Sequence, residues 1–205
     1  MAIATPSKRE STEDRRAAIA RAARDLIVEK GVEGLRTRDI AERVGINIAT
    51  LHYHVPTKEA LIGLVAETMK NEFRVQSIVR PRAHLSAVER LEHEFYDFEE
   101  MYTEQPEIIT VMGELIERSR RDPVVKAAMA PLQGHWHRMV ADIFVDGLRE
   151  GSFRPDLDPE AAATIFIGSL IAFCRSGDTS NDTFKRLCAE LRRFVRMPEL
   201  SEDRL

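Results

Sequence analysis

The sequence contains few of the residues that mark several classes of protein. It has 2 cysteines, 1 tryptophan, 10 glycines and 9 prolines in 205 residues. So few cysteines exclude a disulfide framework and agree with a reducing compartment, and so little glycine and proline exclude collagen-like and low-complexity chains. The longest apolar stretch, residues 161–174, is shorter than the ~20 residues that cross a bilayer, and the N-terminus lacks the apolar segment of a secretory signal. We therefore expect a cytoplasmic globular protein.

The chain also lacks an overall excess of positive charge, which would favour binding to nucleic acid. Its formal charge is −4 at pH 7. Residues 1–60, however, carry 11 Lys or Arg against 9 Asp or Glu, which gives +2. The other 145 residues carry 19 against 25, which gives −6. Charge therefore divides the chain into a mildly basic N-terminal part and an acidic remainder.

Apolar residues recur along the chain at the spacing of amphipathic helices, and no long alternating run indicates a strand. Glycine, proline and capping residues separate about nine such stretches, so the sequence predicts an all-α protein. We expect Thr37, Asn47 and Thr57 to cap short second and third helices and a fourth that runs to about residue 74. Gly45 permits the turn between the second and third helices. Pro131 predicts a kink or break in a later helix.

The second and third helices form the motif that is most specific to function. The run from Thr37 to Leu51 places apolar residues on the inner sides of two short helices, and Gly45 lies between them. This pattern predicts a helix-turn-helix, whose second helix fits the ~12 Å major groove of DNA. The exposed side of that helix presents Ile48, Ala49, Thr50, His52 and Tyr53.

The stretch from residue 19 to residue 69 resembles the N-terminal DNA-binding domain of the TetR family of transcriptional regulators. The resemblance is carried by TRDIA at residues 37–41, VGI at 44–46 and LHYHVPTKEAL at 51–61. The last run is similar to the family's Leu-Tyr-x-His-Phe-x-x-Lys-x-x-Leu signature, with His52 and Val55 where Tyr and Phe are usual. The resemblance implies a three-helix DNA-binding domain followed by a helical domain for ligand binding and dimerisation.

The same resemblance assigns DNA contacts to the second, third and fourth helices. Thr37 would meet a phosphate, Arg38 a guanine edge or a phosphate, and Lys58 a phosphate. The resemblance also implies a contact from His54 to the DNA backbone, and the alternative for His54 is packing beneath the recognition helix. Further contacts to the DNA backbone are implied for Thr50 and Tyr53, whereas the departure at His52 leaves its contact open.

Two further groups of residues in the basic N-terminal part are candidates for contact with DNA. Ile48 and Ala49 occupy base-reading positions without a hydrogen-bonding side chain, so they can read thymine methyl groups only by apolar contact. Near the N-terminus, basic residues either add phosphate contacts or belong to a solvated tail. These residues are Lys8, Arg9, Arg15 and Arg16.

The acidic remainder resembles the family only in plan. The resemblance implies that the last two helices, over residues 159–175 and 183–196, pair with a second subunit. The first of them is apolar on nearly every side and has to be buried, either by that subunit or as the central helix of one monomeric core. The candidate interface residues are Phe166, Gly168, Leu170, Phe173, Phe184, Leu187 and Leu191.

Aromatic and methionine side chains of the middle helices are candidates for lining a small-molecule pocket, with ordinary core packing as the alternative. The acidic run at residues 92–100 has two interpretations as well, a contact to a cationic ligand and a solvated helix face. The candidate pocket residues are Phe95, Phe98, Tyr102, Met112, Trp136 and Met139.

These observations predict four segments: a flexible basic leader over 1–12, a helix-turn-helix domain over 13–56, a linking fourth helix over 57–80, and a ligand-binding and dimerisation domain over 81–205. The expected function is a homodimeric repressor that binds a pseudo-palindromic operator in double-stranded DNA and is released by a small-molecule effector. The alternatives are an all-α small-molecule-binding protein and a dimeric scaffold without effector-controlled DNA binding. Because motifs for a nucleophile, a phosphate loop or paired metal ligands are missing, we expect no enzyme activity, metal or cofactor.

Overall fold

The computed structural model describes residues 11–79, 82, 84–177 and 179–196, with the helical backbone alone for residues 74–79. Nine α-helices and no strand lie within these ranges, which confirms the predicted all-α class. No helix in the described part of the chain is long and apolar enough to cross a membrane. The helices are α1 (Thr12–Lys30), α2 (Thr37–Val44), α3 (Ile48–His54), α4 (Lys58–Val79), α5 (Ala87–Glu104), α6 (Pro106–Ser119), α7 (Pro123–Glu150), α8 (Pro159–Arg175) and α9 (Asn181–Val195).

Side-chain caps explain where α3 and α4 begin. The Asn47 side chain accepts a hydrogen bond from the backbone N–H of Thr50 at 2.7 Å. The Thr57 hydroxyl accepts one from the backbone N–H of Ala60 at 3.1 Å. Each bond satisfies a backbone donor that has no partner within its own helix. Both caps confirm the sequence predictions.

Two later helices are longer than the sequence indicates. α4 extends to Val79, about five residues beyond its expected end. α7 is one helix of 28 residues that runs through Pro131. Of the predicted kink or break, the break is therefore wrong and the kink stays a prediction. A proline removes only one backbone hydrogen bond of a helix. The neighbouring Met129 and Leu132 are 0% and 4% exposed, and their burial stabilises the helix on both sides of the proline.

The chain forms two compact units, each built from two segments. Unit 1 consists of residues 1–72 and 114–129, and unit 2 of residues 73–113 and 130–205. In unit 1, α1 packs on α2 and α2 packs on α3. The functional limits expected for the DNA-binding and ligand-binding domains stay predictions. The interior of unit 1 includes Ile19, Leu26, Ile27, Ile40, Leu51, Leu61, Val65, Met69, Leu115 and Met129, all at most 1% exposed.

Unit 2 has an aromatic core built from α5, α7, α8 and α9. The Phe166 ring lies 5.2 Å from that of Phe95 and 6.2 Å from that of Phe144, measured between ring centroids. Gly147 lets Phe153 enter this core, since a Cβ atom at residue 147 would lie 2.0 Å from the phenyl ring. Such interlocked rings stabilise the unit through burial of a large apolar area.

Candidate nucleic-acid interface

The turn between α2 and α3 fixes the orientation of α3. Gly45 adopts the left-handed conformation, with φ 73° and ψ 34°, which L side chains disfavour. The backbone N–H of Ile46 then donates to the carbonyl oxygen of Ala41 at 2.9 Å. Ile40 of α2 and Leu51 of α3 are both 0% exposed. The apolar inner sides of the two helices are therefore buried, and the outer side of α3 is left to solvent.

The outer side of α3 carries most of the residues that the sequence assigns to DNA contact. Tyr53 is 82% exposed and Ile48 is 43% exposed, and both are large apolar side chains. Ala49 and His52 are also exposed. Because residues four apart lie on one face of a helix, Ile48 with His52 and Ala49 with Tyr53 form two adjacent rows. The other two candidates, Thr50 and His54, are half-buried.

The end of α3 is held by contacts to α1 and to the following turn. A guanidinium N–H of Arg16 donates to the carbonyl oxygen of His54 at 3.2 Å. The Nδ1 atom of His52 lies 3.3 Å from the carbonyl oxygen of Pro56. The His54 ring meets the Tyr53 ring edge-on at 5.2 Å. These contacts fix α3 at its C-terminal end, as Gly45 and the Asn47 cap fix it at its start.

The N-terminal end of α2 lacks the side-chain cap that the sequence predicts. Thr37 is the first residue of the helix, so its predicted role as the N-cap is wrong. The chain is still extended at Arg36, with φ −120° and ψ 135°, and this residue provides no side-chain cap hydrogen bond. The backbone N–H groups of the first turn of a helix attract anions when no side chain caps them. Exposed Arg38 adds a positive charge at this end.

Several basic side chains of unit 1 are already neutralised by carboxylates. Arg43 makes two hydrogen bonds to Glu29, at 2.9 and 3.0 Å, and Lys30 makes one to Asp39 at 2.8 Å. The bond from Arg43 lowers the pKa of Glu29, and the bond from Lys30 lowers the pKa of Asp39. The charges of these two cations are therefore partly compensated within unit 1.

Arg38 and Lys58 are placed differently. Within the part of the chain that the structure describes, neither side chain makes a hydrogen bond or an ion pair. Arg38 lies at the start of α2, and Lys58 is the first residue of α4, directly after the turn that ends α3. Lys58 also lies at the positive end of a helix dipole, where a cation does not stabilise the fold. Both positive charges therefore remain available to an anionic partner.

The N-terminal basic residues divide into three groups. Lys8 and Arg9 lie outside the described residues. Arg15 interacts within the chain. Arg16 makes an ion pair with Glu67 at 3.4 Å in addition to its bond to the carbonyl oxygen of residue 54. Arg16 therefore has a structural role in unit 1.

The candidate pocket residues all lie in unit 2, and Phe95, Phe98, Tyr102 and Trp136 lie in or next to its aromatic core. Phe98 and Tyr102 form a ring cluster with Phe173 and Phe184, with centroids 5.1–6.1 Å apart. The Tyr102 hydroxyl is buried without a hydrogen-bond partner among the described residues, and burial raises its pKa. That these residues line a pocket stays a prediction. Phe95, Phe98 and Met112 are buried, and Tyr102, Trp136 and Met139 are half-buried.

Unit 2 also contains a buried carboxyl group that the interpretation of residues 92–100 as a solvated face misses. Glu94 is 8% exposed and accepts a hydrogen bond from Arg82 at 2.9 Å. Arg82 also binds Asp97, and the Trp136 side chain bonds to Glu94. Burial raises the pKa of Glu94 to about 7, although the positive charge of Arg82 opposes this shift. The signal in the sequence is its spacing, since Glu94 lies three residues after the buried Leu91 and therefore on the same apolar stripe.

Most of the candidate dimer residues are buried inside their own chain. The sequence suggests a partner subunit because α8 is apolar on nearly every side and has to be buried. Unit 2 buries much of that apolar surface itself. Gly168 is exposed and Leu187 is half-buried, and next to them Ile165 is 47% exposed. A subunit contact on α8 and α9 stays a prediction, and it would use this outward surface. The residues already buried are Phe166, Leu170, Phe173, Phe184 and Leu191, at 1–5% exposed.

Two family profiles match the chain. The first, described as "Bacterial regulatory proteins, tetR family", matches residues 19–65 and so includes every predicted DNA contact. The second, described as "Tetracyclin repressor-like, C-terminal domain", matches residues 110–193. Together the two profiles cover more than half of the 205 residues.

Individual relatives agree with these profiles. The tetracycline repressor protein class A of Escherichia coli is 44% identical over 62 residues, which are 30% of this chain and 29% of that repressor. The chain spans only 23–29% of the length of the tetracycline repressors that it matches. The HTH-type transcriptional repressor KstR2 of Mycolicibacterium smegmatis is 28% identical over 162 residues, which are 77% of this chain and 75% of that protein.

A solved structure extends the likeness to the whole fold. The crystal structure of a TetR-family transcriptional regulator from Agrobacterium tumefaciens superposes with a TM-score of 0.78. The superposition covers 91% of this chain and all of the other, at 17% sequence identity. At such low identity the likeness concerns the fold.

Proposed function

From the premise that the chain belongs to the TetR family of bacterial regulatory proteins, we propose that it is a transcriptional repressor that binds operator DNA and responds to a small molecule. The observation that carries the proposal is the charge arrangement around α3. Arg38 and Lys58 have no acidic partner among the described residues, whereas Arg43 and Lys30 of the same unit are paired. An exposed helix with unpaired cations before and after it in the chain fits a duplex, with the helix in the major groove.

The contacts divide by chemistry. The uncapped start of α2 and the Arg38 side chain would bind a phosphate or a guanine edge, and Lys58 would bind a phosphate. The exposed residues of α3 would meet base edges, with Tyr53 and Thr50 nearer the sugar-phosphate backbone. Phosphate contacts provide affinity and fix the register, and base contacts provide sequence preference.

We propose that two subunits bind together, because one such surface is small. A homodimer would place two copies of α3 in successive major grooves of a pseudo-palindromic operator, about 34 Å or somewhat more apart. The outward surface of α8 and α9 is the proposed subunit contact. Linking two weak half-sites raises the overall affinity without any new contact to DNA.

The proposed effector site lies in unit 2. It would use the aromatic residues around Tyr102, whose buried hydroxyl has no partner in the described residues, and the Trp136 indole. To release DNA, the effector must bind the non-binding conformation more tightly than the DNA-binding one, since equal affinity for both would shift nothing. No chemical reaction on the effector is proposed.

Binding of the full chain to duplex DNA at increasing salt tests this proposal. A Lys58→Ala chain should bind all sequences more weakly, and the slope of log K against log salt should fall by about one for each phosphate that is no longer bound. An Arg38→Ala chain should in addition lose sequence preference if Arg38 reads a guanine. The matched control is Lys126→Ala, which removes the same charge from an exposed position on α7. Equal weakening by all three substitutions, or binding insensitive to salt, would contradict the proposal.

A further inference from the structure

The start of the outer side of α3 has little hydrogen-bonding capacity toward bases, whereas exposed Tyr53 near its other end carries a hydroxyl group. Asn47 is the polar residue at its start, but its side-chain oxygen accepts a bond from the backbone N–H of Thr50 at 2.7 Å. An asparagine reads adenine with its oxygen and its nitrogen together, so Asn47 cannot do so while it caps α3. The Nδ1 atom of His52 is occupied by the carbonyl oxygen of Pro56. Only Nε2 of that ring is left for a base.

The first turn of α3 offers apolar surface instead. Ile48 is 43% exposed, and Ala49 beside it is also exposed. Ile48 is one of only two isoleucines in the described residues that are exposed to this degree, the other being Ile165 of unit 2. An exposed isoleucine loses the free energy that burial would provide. Ile48 gains it when the outer side of α3 is covered by a partner.

The surroundings of this apolar spot identify the partner. Arg38 and Lys58, which have no acidic partner among the described residues, belong to the helices before and after α3, so a polyanion is the expected occupant of the same surface. The major groove of DNA presents only one apolar group, the C5 methyl of thymine, and the other base edges are polar donors and acceptors. An isoleucine and an alanine in the groove can make apolar contact with that methyl group. They cannot form hydrogen bonds with the polar edges of other bases.

We infer that Ile48 and Ala49 read the C5 methyl groups of thymines in the operator half-site, so that sequence preference in this first turn of α3 comes from apolar contact. The inference rests on the proposed binding to DNA and adds the chemical group that is recognised. It predicts thymine at the base pairs that face Ile48. The shared chemistry is a C5 methyl group on a pyrimidine, which 5-methylcytosine also carries.

The experiment removes that methyl group without changing base pairing. A duplex is selected by the wild-type chain from a random pool, and each thymine of its half-sites is then replaced by uracil, one at a time. Loss of one buried methyl should weaken binding about fourfold. Thymines outside the protected region serve as the control and should show no change. Replacing a contacted thymine with cytosine and then with 5-methylcytosine separates the methyl group from the rest of the base, and the methylated form should bind more tightly.

The matched variant is Ile48→Ala, which changes an exposed side chain and should leave the thermal unfolding of the chain unaltered. At the base pair that faces residue 48, it should bind the thymine and uracil duplexes nearly equally, whereas Ile48→Val should retain part of the difference. If the wild-type chain binds both duplexes equally, or Ile48→Ala keeps the full uracil effect, the inference is overturned while DNA binding stands. If no duplex is enriched by the wild-type chain, the proposed function itself fails.

Discussion

The two units differ in whether certain basic side chains bind carboxylates of their own chain. In unit 1, Arg38 and Lys58 stand beside α3 without an acidic partner in the described residues. In unit 2, Arg82 binds two carboxylates, and Arg90 binds Asp146 at 2.7 Å. Arg192 makes two hydrogen bonds to one carboxylate, at 2.7 and 2.6 Å, and its guanidinium lies 4.9 Å from a phenyl ring centroid. These three arginines of unit 2 therefore stabilise their own unit, whereas Arg38 and Lys58 of unit 1 make no such bond among the described residues.

This difference bears on the proposed binding of DNA by a chain with a formal charge of −4. The field near a surface depends on the charges placed there, and at physiological salt distant charges are screened beyond about 8 Å. The acidic excess belongs to residues after 60, where many carboxylates accept bonds from arginines of unit 2. In the proposed complex, unpaired cations near the DNA, such as Arg38 and Lys58, would have more influence on binding than the total charge.

The largest expected effect concerns the buried aromatic core of unit 2. Phe166 is 1% exposed and packs against Phe95 and Phe144, so Phe166→Ala should lower the free energy of unfolding by about 3–5 kcal/mol. Urea unfolding measures the change. The control is Val145→Ala on α7, where the side chain is 40% exposed and the expected change is within about 0.5 kcal/mol.

The same variant also tests the subunit contact. If Phe166 lies at the interface, as the sequence suggests, Phe166→Ala should dissociate the dimer while each subunit stays folded, which sedimentation would detect. The structure favours the other result, a loss of stability in the subunit itself. Stability equal to that of Val145→Ala would contradict the aromatic core described for unit 2.

Local rules of helix formation could be predicted from the sequence where a single residue decides the outcome. Asn47 and Thr57 form the expected caps because a short polar side chain reaches a nearby backbone N–H. Gly45 forms the expected left-handed turn because only glycine adopts that conformation easily. The exposure of the outer side of α3 follows from these local features, which is why its exposed side chains could be predicted without a structure. That they contact DNA stays a prediction.

Predictions that depend on distant residues were less successful. Of the kink or break expected at Pro131, the break is wrong, because burial on both sides of the proline outweighs one missing hydrogen bond. The apolar surface of α8 indicated burial, but the sequence did not reveal that the chain itself provides it for Phe166 and Leu170. Glu94 belonged to an acidic run, and its burial depends on Arg82 and Trp136, which are distant in sequence. Tertiary contacts decide these cases.

A second, smaller effect concerns Glu94, the buried carboxyl group of unit 2. Burial raises its pKa in the folded chain to about 7, above the ordinary value of 4.5. The folded state therefore keeps a proton that the unfolded state releases, and stability from this group falls as pH rises from 4.5 to 7. The loss is on the order of 3 kcal/mol over that window and no further change is expected above it.

A Glu94→Gln chain should remove this dependence, because the amide cannot ionise. The two chains should have similar stability near pH 5, and the variant should become the more stable one as pH rises to 8. Urea unfolding at each pH measures the difference, with Glu104→Gln on the exposed part of α5 as the control. Parallel curves for wild-type and Glu94→Gln chains would mean that Arg82 keeps the carboxylate ionised, and the two units would then both use fully charged ion pairs.

The smallest expected effect is that of the ion pair between Glu92 and Arg192. The hydrogen bond from Arg192 lowers the pKa of Glu92, so the stability this pair provides is present above the unfolded pKa and is lost as pH falls through the folded one. Both side chains are about a third exposed or more, at 39% and 34%, and an exposed pair is worth at most about 1 kcal/mol. Glu92→Gln should lower stability at pH 7 by no more than that.

Measurements at increasing salt concentration compare this ion pair with the proposed DNA-binding surface of unit 1. Adding salt should erase most of the difference in unfolding free energy between wild-type and Glu92→Gln chains, because the exposed part of the pair is screened. The same increase in salt should weaken DNA binding far more, since each phosphate contact with residues such as Lys58 releases counterions. A Glu92→Gln effect that persists in high salt would show that the stacking of Arg192 on Phe95, rather than its charge, stabilises unit 2. Arg192 would then stabilise unit 2 by packing, whereas the proposed role of Arg38 and Lys58 in unit 1 depends on their charge.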